Sequence, residues 1–244
     1  MNQPMALIAA IFVLAGTGAA KAEPPAPVTT ASVEPSVVPS ASPAPSASAN
    51  PLLTNPGKPA RFKDVPAEAA IAPYVDELSS RGVITGSGDL FRPDEPITRG
   101  QFAAMVAKGF NKAKTTPVKK FEDIKVGSPQ AVAVDEAIQT GFMKGYSDKE
   151  FKPDQQIPRY QLQVALATGM GLAPKGDPTL ALTKFDDAKD MPKWANSQVA
   201  AALESDILSA DKKLAPVQVA TRGDAAAMIY HALVKEGIIK PTAK

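Results

Sequence analysis

Three arginines recur at a nearly constant spacing along this 244-residue chain. Arg99, Arg159 and Arg222 are 60 and 63 residues apart, and each opens an apolar-periodic segment typical of a helix. A guanidinium group meets a planar carboxylate through two parallel N–H bonds. A helix start adds exposed backbone N–H groups and the positive end of the helix dipole. Binding of acidic groups at these three helix starts is therefore physically plausible.

A purely structural role for the same arginines is the alternative. Each repeat begins with Phe-x-Asp, which supplies a carboxylate at Asp64, Asp123 and Asp187. The arginines would then pair with these aspartates or donate to loop carbonyl groups, and would bind no ligand. We expect at least one of the three arginines to contact ligand.

The remainder of each repeat predicts two helices joined by a loop. Apolar residues at helical spacing mark the first helices. Those residues are Ile71, Tyr74, Val75 and Leu78; Ala131, Val134 and Ile138; and Trp194, Val199, Ala202 and Leu203. The second helices carry Phe102, Met105, Val106 and Phe110; Leu162, Ala165 and Leu166; and Ala226, Ile229, Tyr230 and Leu233. Between the helices, apolar pairs such as Val83-Ile84 predict a β-bridge or a two-residue strand.

Capping residues set the expected helix ends. Thr98 with Gln101 forms a capping box, and Thr221 with Asp224 forms a weaker one. Repeat 2 has Pro158 at that position, which removes the side-chain acceptor.

The fold class predicted from these features is mainly α, with three helix–loop–helix repeats at 61–117, 118–180 and 181–244. Self-similarity at a fixed period indicates one unit repeated so that neighbouring copies bury each other's apolar faces. No unit could bury its stripe alone, so we expect threefold or solenoid-like packing around a shared core.

The region before the repeats predicts export from the cytoplasm. Residues 1–22 contain an uncharged 16-residue run and end in Ala20-Lys21-Ala22, which is typical of a signal peptide. Retention of this segment as a membrane anchor is the alternative. Residues 23–60 hold ten of the 24 prolines among Ala and Ser, which predicts a solvated, disordered linker.

Composition narrows the range of functions. The chain has no cysteine, so it contains neither a disulfide nor a thiolate metal site. A formal net charge of +2 is too balanced for a protein that coats polyanions. The one histidine, His231, has no accompanying serine or cysteine motif. We expect no enzymatic activity, no cofactor and no metal site.

The repeats resemble the S-layer homology (SLH) family. Its pattern is F-x-D-V, a helix ending near G-V-I-x-G, then F-x-P, I-T-R and a second helix, and residues 62–105 match almost throughout. The family's T-R-A-E signature appears as Thr98-Arg99-Gly100-Gln101. Repeat 2 keeps Phe151-Lys-Pro and Arg159, and repeat 3 keeps Trp194 and Thr221-Arg222.

The resemblance implies a pseudo-threefold helical domain that attaches non-covalently to the cell wall, in the periplasm or at the cell surface. The family's ligand is an acidic secondary wall polysaccharide linked to peptidoglycan, often carrying a pyruvate ketal, bound in grooves between repeats. The positions implied to contact this glycan are Arg99, Arg159, Arg222, Trp194, Tyr74 and Gln101. One alternative is an envelope interaction protein whose drifted repeats bind another protein. A wall hydrolase is disfavoured because no catalytic dyad accompanies the repeats.

Overall fold

The computed structural model describes residues 53, 55–208 and 213–241, and these residues fold into seven α-helices. The helices are α1 (Ala72–Ser80), α2 (Arg99–Gly109), α3 (Pro129–Gln139), α4 (Arg159–Gly169), α5 (Pro178–Leu182), α6 (Asn196–Glu204) and α7 (Arg222–Lys235). Repeats 1, 2 and 3 contribute the pairs α1–α2, α3–α4 and α6–α7, which confirms the predicted helix–loop–helix units. The predicted signal peptide lies outside the described residues.

Backbone hydrogen bonds close the three repeats into a ring. The N–H of Ile97 donates to the carbonyl of Ala220 at 2.9 Å, and the N–H of Ala220 donates to Ile157 at 2.9 Å. The N–H of Ile157 completes the ring by donating to Ile97 at 3.3 Å. Each position lies two residues before one of the three arginines. The expected threefold packing is therefore confirmed, and the solenoid alternative is wrong.

The helix ends follow the capping predictions. Thr98 and Thr221 both form capping boxes, with Gln101 and Asp224 returning a side-chain oxygen to the cap N–H. Pro158 makes no side-chain cap bond, as predicted. The first helices end in left-handed residues, which are Gly82 (φ 67°), Gly141 (φ 81°) and Asp206 (φ 59°).

Apolar side chains from all three repeats share one core. Its largest fully buried side chains include Phe91, Phe102, Phe110, Phe142 and Phe151. Repeat 3 adds a second, smaller cluster, formed by Leu182, Phe185, Met191, Ala195, Val199, Ala200 and Leu214. Helix α5, which the sequence pattern did not reveal, contributes Leu182 to this cluster and spans the repeat boundary predicted at residue 180.

Three expectations about local structure are wrong. Trp194 is not part of the apolar stripe of a first helix, because it lies in a single 3₁₀ turn (Lys193–Ala195) before α6 and is 63% exposed. Val83-Ile84 forms no bridge, and the isolated bridges among the described residues lie in the loops, for example Thr98 with Gln156. The end of the predicted linker is not wholly free of the domain, because Leu53 is buried and the backbone of Gly57 and Ala60 bonds to the end of α1.

Residues just before repeat 1 pack on the end of α1. Leu53 is only 5% exposed, and its carbonyl accepts a hydrogen bond from Arg81. The N–H of Gly57 donates to Ser80 at 2.7 Å, and the N–H of Ala60 donates to the Ser79 hydroxyl at 3.1 Å. Leu53 is therefore packed against the domain, whereas residues 55–58 and 60 are exposed, and residues 1–52 and 54 lie outside the described part of the chain.

Candidate functional site

Two of the three arginines make the same set of contacts. Arg99 donates from Nε to the carbonyl of Phe151 and from Nη2 to that of Lys144, both at 2.8 Å. Its guanidinium carbon lies 4.7 Å from the centre of the Phe151 ring. Arg222 repeats this arrangement against the loop of repeat 1. There it donates to Phe91 and Thr85 at 2.9 Å and lies 4.8 Å from the Phe91 ring centre.

Glycines shape the two loops that receive Arg99 and Arg222. Gly145 directly follows Lys144, and an added Cβ there would lie 2.5 Å from the ring of Phe121 and 2.6 Å from the carbonyl oxygen of Ser147. Gly86 is equally crowded, with the ring of Phe62 at 2.3 Å. Only glycine lets the chain approach these rings, so the accepting carbonyl groups are held in place by the core.

The three aspartates of the Phe-x-Asp motifs hold the turns that carry these loops. Asp123 accepts hydrogen bonds from the N–H groups of Phe151 and Lys152, the latter at 2.6 Å. Asp64 binds the corresponding pair in repeat 1, and Asp187 binds the pair in repeat 3. The second residue of each pair is left-handed; these residues are Arg92 (φ 61°), Lys152 (φ 57°) and Ala215 (φ 48°).

These contacts set the charge state of the aspartates. Burial of each carboxyl group raises its pKa, but the backbone N–H donors together with nearby cations lower it by more. The pKa of Asp64, Asp123 and Asp187 therefore lies below the ordinary aspartate value. The carboxylates stay ionised and rigidly hydrogen-bonded at neutral pH, and among the described residues none of them forms an ion pair with Arg99, Arg159 or Arg222.

Arg159 is built differently from the other two arginines. Its Nε donates to the carbonyl of Leu214 at 3.2 Å, and its Nη1 donates to the carboxylate of Asp224 in an ion pair. Repeat 3 has Leu214 where repeats 1 and 2 have phenylalanine, so Arg159 has no ring at the corresponding place.

The backbone N–H groups at the three helix starts are not exposed, contrary to the sequence-based argument. Each second helix donates its first two N–H groups to carbonyls in the loop of the next repeat, at 2.8–3.0 Å. The donor–acceptor pairs are Arg99–Gln155 and Gly100–Pro153, Arg159–Gln218 and Tyr160–Pro216, and Arg222–Glu95 and Gly223–Pro93. Any recognition of an anion at these places therefore depends on the guanidinium groups.

Burial leaves Arg99 and Arg222 as partly desolvated cations. Desolvation lowers the pKa of both side chains, although nearby carboxylates act in the opposite direction, Asp123 on Arg99 and Glu95 on Arg222. Neither arginine forms an ion pair within the described part of the chain. A desolvated cation without a paired carboxylate favours the approach of an anion.

A cavity of about 550 Å³ brings side chains of all three repeats to Arg99. Repeat 2 supplies Lys144 and Tyr146, and repeat 3 supplies Trp194. Three amide side chains, Gln155, Gln161 and Gln198, and the hydroxyl side chain of Thr168 complete its polar lining. The cavity thus combines cations, exposed aromatic rings and amides, a set of groups that can bind a carboxylate, a sugar face and hydroxyl groups respectively.

The structure places the other predicted site residues as follows. Trp194 lies in the cavity wall, with its ring edge-on to Tyr160 at 5.9 Å. Tyr74 does not line the cavity, and its ring packs 4.6 Å from that of Tyr230 between α1 and α7. Gln101 is exposed and accepts the Thr98 N–H at 3.1 Å.

Sequence reasoning missed Tyr146, which is 56% exposed and lies beneath the ammonium group of Lys152 at 3.7 Å from the ring centre. Its position directly after the turn glycine Gly145 was the available signal. The glutamines of the cavity carried no such signal, because their convergence depends on how the repeats pack.

The described residues lack two further features. They contain no group of three or more His, Asp or Glu side chains that could hold a metal ion. None of their helices combines the length and apolar character needed to cross a membrane.

Comparison with known proteins identifies the repeated unit. The profile of the S-layer homology domain matches the chain three times, at residues 61–103, 120–161 and 184–226. An exoglucanase of Acetivibrio thermocellus, XynX, is 30% identical over 165 residues, which is 66% of this chain and 15% of that protein.

Two envelope proteins match the same region. The middle cell wall protein of Brevibacillus brevis is 27% identical over 171 residues, covering 68% of this chain and 15% of its own length. The surface-layer 125 kDa protein of Lysinibacillus sphaericus is 27% identical over 135 residues, covering 55% of this chain and 11% of its own length. The chain thus spans only a small part of these curated relatives.

Proposed function

Because the chain belongs to the S-layer homology domain family, we propose that it is a non-enzymatic protein that attaches to the cell wall. It binds an acidic secondary wall polysaccharide, linked to peptidoglycan, in grooves between its repeats. Residues 1–22 direct it across the inner membrane, and it acts in the cell envelope. The names of the surface-layer and cell wall relatives support this location.

The observation that carries the proposal is the composition of the cavity at Arg99. A wall glycan with a carboxylate, such as a pyruvate ketal, presents a planar anion on a ring that has one apolar face and several hydroxyl groups. Arg99 and Lys144 match the anion, Trp194 and Tyr146 match the ring face, and the glutamines match the hydroxyls.

The first test is co-sedimentation of the full chain with isolated wall sacculi. Native sacculi are compared with sacculi from which mild acid has removed the secondary polysaccharide. We expect the protein to pellet with native sacculi and to remain in solution with stripped ones. Equal pelleting with both preparations would place the ligand in peptidoglycan or protein, and would contradict the proposal.

The second test is Arg99→Ala, which removes the guanidinium group from the lining of the cavity. We expect sacculus affinity to fall by about tenfold or more, because a charge-assisted bond contributes about 1.5–3 kcal/mol. Arg61→Ala is the matched control, since Arg61 is a 72%-exposed arginine whose loss changes net charge by the same amount. Circular dichroism of both variants checks that the fold survives. Equal affinities of the two variants would remove Arg99 from the site.

A protein partner is the second candidate, and one observation favours it. Repeat 3 exposes large apolar side chains, among them Trp194 (63%), Val217 (56%) and Val219 (41%). Exposed apolar side chains of this size suit a protein surface better than a charged glycan. Binding to stripped sacculi that protease treatment abolishes would support this candidate over the glycan.

A further inference from the structure

The guanidinium group of Arg159 is already paired with an internal carboxylate. The Nη1 of Arg159 donates to Asp224, which belongs to the next repeat, and the two side chains are only 20% and 23% exposed. Paired in this way, the guanidinium carries little net attraction for a second anion.

The same position in the other repeats is neutral. Asp224 is the third residue of α7, and the third residues of α2 and α4 are Gln101 and Gln161. Gln161 lines the cavity beside Arg99, just as Asp224 lies beside Arg159. An amide adds no negative charge beside the neighbouring arginine.

We propose that Asp224 closes the Arg159 groove to acidic ligands, so that the domain has two receptive grooves, at Arg99 and Arg222. This inference deepens the proposed function and rests on it for the identity of the natural ligand. Asp224 therefore determines which arginines accept a carboxylate.

The variant that tests this inference replaces Asp224 with glutamine, which is the residue at the same position in repeats 1 and 2. Asp224 also caps α7, accepting the Thr221 N–H at 3.0 Å. Gln101 makes the equivalent bond to Thr98 at 3.1 Å, so Asp224→Gln is expected to keep the cap while removing the charge. Gln161→Asp is the reciprocal variant and places a carboxylate beside Arg99.

The experiment follows the Nε–Hε resonances of Arg99, Arg159 and Arg222 in the full chain by NMR. Two probes are titrated: sodium pyruvate as a simple carboxylate, and a hexosamine bearing a pyruvate ketal. In the wild type, pyruvate is expected to shift Arg99 and Arg222 but not Arg159. In Asp224→Gln, Arg159 is expected to respond as well, with a Kd for pyruvate at least about tenfold below the lower limit that the wild-type titration sets for Arg159. Gln161→Asp is expected to abolish the response of Arg99.

The pyruvate titration decides the inference, whatever the sugar does. A shift of Arg159 in the wild type, or its absence in Asp224→Gln, would overturn the closing role of Asp224. If the ketal sugar shifts none of the arginines while pyruvate behaves as expected, the glycan assignment fails and the role of Asp224 stands.

Discussion

Two of the grooves between the repeats are built alike, and the third is not. At Arg99 and Arg222, a guanidinium lies over a phenylalanine ring and donates to two loop carbonyls. At Arg159, Leu214 stands in the place of the phenylalanine, and Nη1 of the guanidinium donates to the carboxylate of Asp224.

The difference shows which features the fold requires and which it leaves free. All three repeats keep the ring of backbone bonds and the aspartate that holds its turn, because both stabilise the domain. The groups around the guanidinium vary without disturbing these backbone bonds or the aspartate-held turns. Repeat 3 therefore differs in the groups that line its groove while sharing the architecture of the other two repeats.

Acidification has the largest expected effect on stability and tests the aspartate-held turns that all three repeats share. Asp64, Asp123 and Asp187 have pKa values lowered in the folded state. Their contribution to stability is complete above the unfolded aspartate pKa of about 3.9 and is lost as pH falls through the lower folded values. The free energy of unfolding, measured with urea between pH 7 and pH 2, should therefore decrease below about pH 4.

Asparagine at these three positions is the control for the acid experiment. Each Asp→Asn variant should be less stable at pH 7 and should show a flatter dependence on pH. Similar effects in all three repeats are expected, since the three carboxylates make equivalent bonds. A stability that is unchanged between pH 5 and pH 2 would contradict this account.

Gly145→Ala tests a feature confined to the two similar grooves. The added methyl would overlap the Phe121 ring and the Ser147 carbonyl, so we expect a loss of about 2 kcal/mol in the free energy of unfolding. Gly176→Ala is the matched control, because a Cβ there meets nothing within 4 Å. If urea denaturation gives equal stabilities for the two variants, the glycine does not position the loop that receives Arg99.

Pro158→Thr has the smallest expected effect and makes the start of α4 more like the starts of α2 and α7. Pro158 already has the extended backbone of a cap residue (φ −73°, ψ 155°) but offers no side-chain acceptor. Threonine should cap the helix, but replacement of the proline also makes the unfolded chain more flexible, which cancels part of the gain. We expect a net increase of about 0.5 kcal/mol in the free energy of unfolding. A small rise in Tm is expected, whereas a fall would show that proline rigidity matters more than the cap.

The fold was largely predictable, because its signals are local. Apolar periodicity located the paired helices, and Thr98 and Thr221 marked two helix starts that the structure confirms. The prediction for Trp194 was wrong, because its spacing suited an apolar helical stripe although the chain makes a 3₁₀ turn there. Helix α5 is too short to produce a clear periodic pattern.

The candidate site was less predictable, because its contacts join distant parts of the chain. The sequence pointed to the arginines, but their carbonyl acceptors lie 45–137 residues away and carry no side-chain signature. The pairing of Arg159 with Asp224 likewise depends on the packing of repeat 2 against repeat 3. Assignment of ligand contacts to Arg99, Arg159, Arg222, Trp194, Tyr74 and Gln101 stays a prediction.

The closed ring of backbone bonds also limits how this domain can fold and evolve. Its closing bond joins Ile97 to Ala220, which are 123 residues apart, so the ring forms only after the last repeat has been synthesised. An open array of repeats can gain or lose a copy at either end. Removal of one repeat from this ring would instead leave backbone groups of both remaining repeats without their hydrogen-bond partners. A duplicated fourth repeat would likewise find no unpaired backbone groups at which to join the ring. The closed ring of the described residues thus fixes the number of repeats at three by geometry.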